Sequence, residues 1–351
     1  MKKLFVALLA VFALLFFTLR IVKTEMVTMF IVGDILLDRG VGERIDTNGP
    51  DYPHLNVKNI LPKADIVFGN LECPITSTGI PALKRPYYLF KAHPDNADAL
   101  SKSGFNVLNL ANNHSMDYGS EGIMNTIEFL EKSGIKTVGA GKDKHSAHKP
   151  LYTEVSGTTI GFLSLSAFPT EGYVYSDKKP DVAQLDIEAL AGEVKSAKVN
   201  CDVLIVSFHW GTEFENYPTQ KQKQAAYISV ENGADIVIGH HPHVLQGMEY
   251  YMGKPIFYSL GNFVFDNQQP IGTDETIILK VSINNKSIKK LEIAPIRIVE
   301  CQPTIPVNLD EAMNILNNFE KYSKFTNSNI EIDKENFNFS KNIFNTVKIV
   351  P

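Results

Sequence analysis

Three absences narrow the field before any motif is read. The chain of 351 residues has only three cysteines, Cys73, Cys201 and Cys301. Their odd number and wide spacing match neither a disulfide framework nor a zinc-ligand pattern, so they read as small core residues. Excess positive charge is missing as well. With a formal net charge of −5 there is no basic field to attract nucleic acid, and no nucleic-acid partner is expected. A polyanionic ligand would need a local cluster of Lys and Arg. Long hydrophobic runs are lacking everywhere except at the amino end, and no repeat of about 20–50 residues is visible. What remains is 44% apolar and 21% charged, which excludes a disordered chain and leaves one large or two ordinary globular domains.

The amino end sets the expected compartment. Met1-Lys2-Lys3 is followed by the uncharged run Leu4 to Leu19, then Arg20, Ile21, Val22 and Lys23. A span of about 20 apolar residues crosses a bilayer core. The run reaches that length when Ile21 and Val22 are included and Arg20 snorkels to the interface. No A-x-A-like cleavage site follows, and no cysteine stands where a lipoprotein needs one. Residues 1–24 therefore read as an uncleaved signal-anchor, a single N-terminal transmembrane helix, in preference to a cleaved signal peptide. The flanking lysines put the amino end inside and the main domain outside the cell membrane.

Residues 26–300 read as one α/β domain, followed by a C-terminal helix and tail over 301–351. The runs 27–33, 64–69, 105–111, 159–166, 203–208 and 234–239 are short, apolar and β-branched, as buried strands are. Helical patterns fill 120–133, 181–198 and 219–232. Residues 271–300 alternate like two antiparallel strands joined by an Asn-rich turn. A helix is expected over 309–322, and the Asn-, Lys- and Phe-rich remainder has the low complexity of a partly disordered tail.

Chemistry-bearing residues follow these runs directly. Asp34 follows the first run, Asn70 and Glu72 the second, and Asn112, Asn113 and His114 the third. His209 follows 203–208, His240, His241 and His243 follow 234–239, and Asn262 follows KPIFYSLG. The carboxyl ends of strands form the rim where open α/β sheets bind ligands. One rim would thus gather carboxylates, amides and imidazoles, and three or four such groups suffice for a catalytic metal site. Glu72 is the candidate to bridge two ions.

Singly, these residues have plainer readings. Asp34 suits a turn, Asn112 to His114 suit a helix cap, and His209 suits a packed rim. His241-Pro242-His243 resists one, because Pro fixes φ between two rings. His145 and His148 read as solvated, and His54 and His93 as structural or solvent-facing. The stretch 84–91, KRPYYLFK, is the one local basic and aromatic cluster. Arg85 and Lys91 within it, with Asn262 at the rim, are the candidate substrate contacts.

The strings GDILLDRGV, FGNLECPIT, NLANNHSMDYG, SFHWGTE, IGHHPHVLQ and YSLGNFVFD resemble, in order over residues 27–270, the CapA family of poly-γ-glutamate capsule proteins. That domain is similar to the calcineurin-type metallophosphoesterases. The resemblance implies a metallophosphatase-like β-sandwich flanked by helices, with one or two divalent ions, Mn, Fe or Zn. Asp34, Glu72, Asn113, His209, His241 and His243 would be metal ligands. His114 would be the catalytic residue at the leaving group, acting as general acid beside Lewis-acid activation of water. The implied partners are an anionic polymer or its precursor and other membrane components of a capsule synthase. Leu36 stands where phosphoesterases have a histidine, and Asn70 where they have an aspartate. A metal-dependent phosphoesterase or amide hydrolase of the cell envelope, and a non-enzymatic synthase subunit, are the competing readings.

Overall fold

The computed structural model of the chain describes residues 25–169, 178–266, 270, 272–325, 329–333 and 343–350. The expected anchor, 1–24, lies outside them. Among the described residues no helix is long and apolar enough to cross a membrane.

The chain first lays down half a sheet. β1 (Val27–Ile35), α1 (Arg39–Asn48), β2 (Ile66–Leu71), α2 (Asn96–Lys102), β3 (Val107–Asn109), α3 (Gly119–Lys132) and β4 (Lys136–Val138) alternate, and the four strands are parallel neighbours in that order. A second sheet follows. It takes β6 (Leu151–Val155), β7 (Thr158–Ser166), β9 (Val203–His209), β10 (Ile236–His240), β11 (Leu245–Tyr251) and β12 (Lys254–Leu260) in the order β11-β12-β10-β9-β7-β6. Between these strands lie the short pair β5 (Ala140–Gly141) and β8 (Asp181–Val182), and helices α4 (Lys144–Ala147), α5 (Leu190–Lys198) and α6 (Gln220–Glu231).

The chain then returns to the free side of β1. β13 (Asn262–Val264) joins it in parallel, and β14 (Glu275–Asn284) and β15 (Ser287–Val299) extend the sheet as an antiparallel hairpin. β16 (Gln302–Thr304) pairs with β15, α7 (Leu309–Ser323) follows, and β17 (Asn329–Ile332) and β18 (Asn345–Val350) close the edge.

Burial explains why these segments are strands. β2, β9 and β10 are buried at every position, so their sequences are apolar without alternation, as strands covered on both faces must be. One core lies between the sheets, where Phe68 of β2 stacks on Phe162 of β7 at 5.3 Å. Ile315, Leu316 and Phe319 of α7 belong to that same core. A second core lies on the outer face of the first sheet, under α1 to α3, and a third on the outer face of the second sheet, under α5 and α6. The architecture is a sandwich of two sheets flanked by helices.

All six short apolar runs are strands, although the third yields only Val107–Asn109 before breaking into a loop. The helix expected over 181–198 begins only at Leu190. Asp181 and Val182 instead pair with β5, where Val182 is fully buried. The helix expected over 120–133 begins at Gly119 with Tyr118 as its cap, so the Asn-Asn-His segment does not cap it. The low-complexity tail supplies strands β17 and β18. All three cysteines are free, Cys73 buried and the other two half-buried.

Removing a ring from the inter-sheet core leaves a cavity that rigid sheets cannot fill. Phe162→Ala should destabilise the fold by about 3–5 kcal/mol. Denaturant unfolding checks this, and a cost near zero would mean that the two sheets do not meet there.

Candidate metal centre

The site is assembled at the carboxyl ends of β1, β2, β9 and β10. Asp34 sits near the end of β1, held in place by a close backbone approach. Its N–H donates to the Gly261 carbonyl at 3.0 Å, and that oxygen would lie 1.9 Å from a Cβ on residue 33, so only glycine fits there. Its carboxylate receives the Asn70 amide at 2.8 Å and the His241 backbone N–H at 3.0 Å, and the His240 Nδ1 lies 3.3 Å away.

Glu72 follows β2 and is 1% exposed, yet neither of its oxygens meets a hydrogen-bond donor among the described residues. Around it stand His209 Nε2 and His243 Nε2, each 3.7 Å from Oε1. One ligand atom apiece from Glu72, His241 and His243, and likewise from Asp34, Glu72 and His209, falls within 4.8 Å of the others. His209 Nε2 lies 2.8 Å from Asn113 Oδ1 and 3.1 Å from His241 Nδ1. The edges of a coordination shell with bonds near about 2.1 Å are about 3.0–3.4 Å. These separations therefore suit groups that converge on one cation.

The histidines are held in costly backbone conformations. His241 has φ 97° and His243 φ 60°, on either side of Pro242. Each such position costs a non-glycine residue about 1–3 kcal/mol. His243 Nδ1 donates to the Asn262 amide oxygen at 2.9 Å, which leaves Nε2 free to face Glu72. Asn262 is 2% exposed and spends its own amide N–H on the Thr273 carbonyl. It orients His243 through the ring nitrogen turned away from Glu72.

His114 stacks on Phe90 at 4.0 Å and donates Nδ1–H to Asp117 at 2.9 Å. Asp117 also takes Lys84 Nζ at 2.5 Å and the Phe90 N–H at 2.9 Å. Lys84, with its side chain 2% exposed, is thus committed inward, while Arg85 and Lys91 stay exposed. Lys91 Nζ lies over the Tyr118 ring at 4.9 Å. Phe168 covers His241 at 4.1 Å between ring centres. Beside Phe168 a cavity of about 680 Å³ opens, lined also by Trp210, Thr212, Lys221 and Gln222.

Burial governs the protonation states. It pushes Glu72 well above the usual carboxylate range, with Asp34 and Glu213 adding to the shift and Arg39 opposing it. Burial acts the same way on Asp34, but His240, His243 and Asn70 overcome it and hold that carboxyl low. Burial, then the neighbouring imidazoles, hold His209 well below the ordinary value and bring His241 to about 3. His114 is also lowered by burial, against the pull of Asp117. At neutral pH His209 and His241 are therefore neutral and ready to coordinate. A buried carboxylate without a donor is several kcal/mol too costly to ionise unless a cation faces it. The donor set fits a divalent metal ion.

Sequence reasoning placed His240 at the rim without giving it a role, and overlooked Asp117 and Arg39. His240 braces Asp34, a role hidden by the two more telling histidines beside it. Asp117 orients His114 from three positions on, a spacing visible in Asn-Asn-His-Ser-Met-Asp. Arg39 has φ 53° and packs over Phe90 at 4.8 Å while pairing with Asp266. Among the other histidines, His93 and His145 are exposed, His54 is buried beside Phe105, and His148 is half-buried against Glu193 at 3.2 Å.

An α/β sandwich carrying carboxylate, amide and imidazole groups able to hold a divalent ion on one rim defines the class, the kind of domain expected from the motifs. The family described as bacterial capsule synthesis protein PGA_cap matches residues 28–267, which contain every one of these ligand candidates. The chain belongs to that family. It is 33% identical to the PGA biosynthesis protein CapA of Bacillus subtilis, over 92% of this chain and 88% of that one. It is also 33% identical to the capsule biosynthesis protein CapA of Bacillus anthracis, over 80% and 70%. Among solved structures, a hypothetical protein of Thermus thermophilus aligns over 76% of this chain and 98% of that one, with a TM-score of 0.49 at 13% identity. A 5'-nucleotidase precursor of the same organism aligns over 84% and 58%, with a TM-score of 0.47 at 13% identity.

The raised Glu72 value has a measurable sign. The folded chain holds this proton more tightly than the unfolded chain. The resulting stability is complete below the ordinary glutamate value and is lost as pH rises toward the raised one. Loading metal at about pH 6 should therefore release about one proton, from Glu72, because His209 and His241 are already neutral. Calorimetry in buffers of different ionisation enthalpy reads this number, and a release of zero would mean that Glu72 is ionised before the ion arrives.

Proposed function

We propose that this protein is a membrane-anchored, extracytoplasmic member of the capsule-synthesis family whose divalent-metal site handles an anionic polymer of the poly-γ-glutamate kind during synthesis or export. Segment 1–24 is its single-pass anchor in this reading. Its ligand is the polymer or a precursor, and its neighbours are the other membrane components of a capsule synthase. The relatives' names supply the polymer class. The observation that carries the site is Glu72, a sealed carboxylate without a hydrogen bond among the described residues, facing His209 and His243 at 3.7 Å.

A bound divalent ion supplies Lewis acidity, and the mixed imidazole, carboxylate and amide donors suit Mn, Fe or Zn, as one ion or two. The chain's own residues do the rest. Asp34, Glu72, Asn113, His209, His241 and His243 hold the ion, with His240 and Asn262 fixing their orientation. His114, backed by Asp117 and Lys84, moves a proton at the reacting bond. Phe168 shields the imidazoles from water, and the adjoining cavity accommodates a segment of polymer.

Two other readings have support of their own. The His114–Asp117–Lys84 chain is a device that mere binding does not need, and it favours a hydrolase, whether of amides or of phosphoesters in the cell envelope. Leu36, fully buried in the outer core, and Asn70, whose amide caps Asp34, remove two ligands of the phosphoesterase pattern. That loss favours a subunit that binds without turnover.

Metal analysis of the purified protein tests the site. The His241→Ala/His243→Ala variant should lose most bound metal while circular dichroism shows it folded, and unchanged metal content would remove the site. Activity separates the readings. Metal-dependent cleavage of a γ-glutamyl peptide should fall by about 10²–10⁴ in His114→Ala. Cleavage of a generic phosphodiester in its place would favour the phosphoesterase, and no turnover of either would favour the non-enzymatic subunit.

A further inference from the structure

The end of the sandwich opposite the metal centre has a character of its own. β1 begins there, with Val27 paired to Ile283 beside the β14–β15 turn, and Met26 just before it is 59% exposed. The starts of the parallel strands β7, β9, β10 and β12 of the second sheet lie at the same end, because Asp34, His209 and His240 meet at the other. The β11–β12 turn exposes Met252 by 70%, and Val199, after α5, is 83% exposed.

Lysines surround these apolar side chains. Lys286 in the β14–β15 turn reaches across to Asp202, just before β9, at 3.2 Å. A cavity of about 280 Å³ between the two sheets is lined by Lys254, Lys289 and Lys290 with Tyr250 and Ser287. The acids close to these lysines are engaged. Asp235 holds Lys198 and Lys254, and Glu292 holds Lys280 and Lys290. Lys289 is exposed and reaches no carboxylate among the described residues. A chain of net charge −5 thus gathers basic and exposed apolar groups where β1 emerges.

We propose that this end of the domain docks on the surface of a bilayer containing anionic lipid, its lysines on the headgroups and Met26, Val199 and Met252 at the acyl boundary. The proposal rests on the reading of segment 1–24 as an anchor. Val22, the last apolar residue of that run, precedes Val27 by five residues, which span at most about 18 Å. The lysine-bearing end therefore cannot stand far from the bilayer. Each lysine near an anionic surface strengthens association about five-fold, and exposed methionine and valine add the apolar contact of an interfacial face. Seven residue steps separate Val27 from Asp34 along β1, so at about 3.3 Å each the metal centre stands about 23 Å above the docking face.

The test uses the full-length chain in vesicles containing phosphatidylglycerol and a brominated lipid, whose bromine quenches nearby tryptophan. The native Trp210 is buried and gives a constant background. Met252→Trp reports on the docking end. Leu83→Trp, 93% exposed beside the Lys84 that contacts Asn113 and Asp117, reports on the metal-centre end. Quenching at position 252 should exceed that at 83 at least three-fold. It should fall at least two-fold in the Lys286→Glu/Lys289→Glu background or in uncharged lipid, with the chain still anchored. Equal quenching at both positions in a chain that floats with the vesicles overturns the docking surface and leaves the anchor intact. A chain that does not float overturns the anchor, and the surface with it. Emission at 252 that responds to added polyglutamate but not to lipid charge assigns these lysines to the polymer and overturns the lipid surface.

Discussion

A carboxylate shut away from water with nothing to donate to it is the constraint that organises the molecule. Glu72 is worth burying only if positive charge meets it, and everything near it is arranged for that meeting. The imidazoles of His209 and His241, both held neutral, that of His243, a second carboxylate held ionised and an amide oxygen all face the same small volume. The strained backbone at His241 and His243 belongs to the same economy. Two residues in the left-handed region persist because the sheet on one side and Asp34 on the other leave them no alternative.

The fold meets this constraint by placing β1 at the centre. It pairs with the early strand β2 on one side and the late strands β13 and β14 on the other, so its far end is clamped by both halves of the chain. The second sheet stacks across it and brings β9 and β10 with their terminal histidines to the same rim. Behind the ligands runs an amide relay. Asn109 and Asn112 both donate to the Asn70 oxygen, and Asn70 in turn donates to Asp34. Such a relay fixes the carboxylate without adding charge, which an aspartate at position 70 would do. The departure from the phosphoesterase pattern is therefore a filled structural role, not a gap.

Much of this was legible in the sequence because buried strands announce themselves and their ends carry the chemistry. Asp34, Glu72, Asn113, His209, His241 and His243 could each be read from an apolar run that stops at a polar residue. The parts that stayed hidden depend on direction. Nothing in KRPYYLFK tells that Lys84 turns inward to Asp117 while Arg85 and Lys91 stay in solvent, since all three are the same kind of residue in the same loop. Asn262 looked like a rim group because it follows a strand, but it faces the back of His243. The stretch 181–189 has a helical pattern, yet pairing with β5 and burial of Val182 outweigh it, a tertiary effect that local periodicity cannot carry. The tail's composition likewise concealed strands β17 and β18, whose partners lie in β15 and in each other.

The wide separation of the ligands along the chain carries a consequence for how the protein acquires its ion. Asp34 holds the His241 backbone across 207 positions, and β1 is not flanked on both sides along its length until β13 and β14 have been made. A nascent chain therefore offers only scattered, weak donors, and the full set exists only once nearly the whole domain has folded. On the proposed reading of the site, metallation is then the last event of maturation. Affinity follows much the same order of metals in most sites of this kind, so the supply of ions where folding finishes has as much say in the resident metal as the donors do.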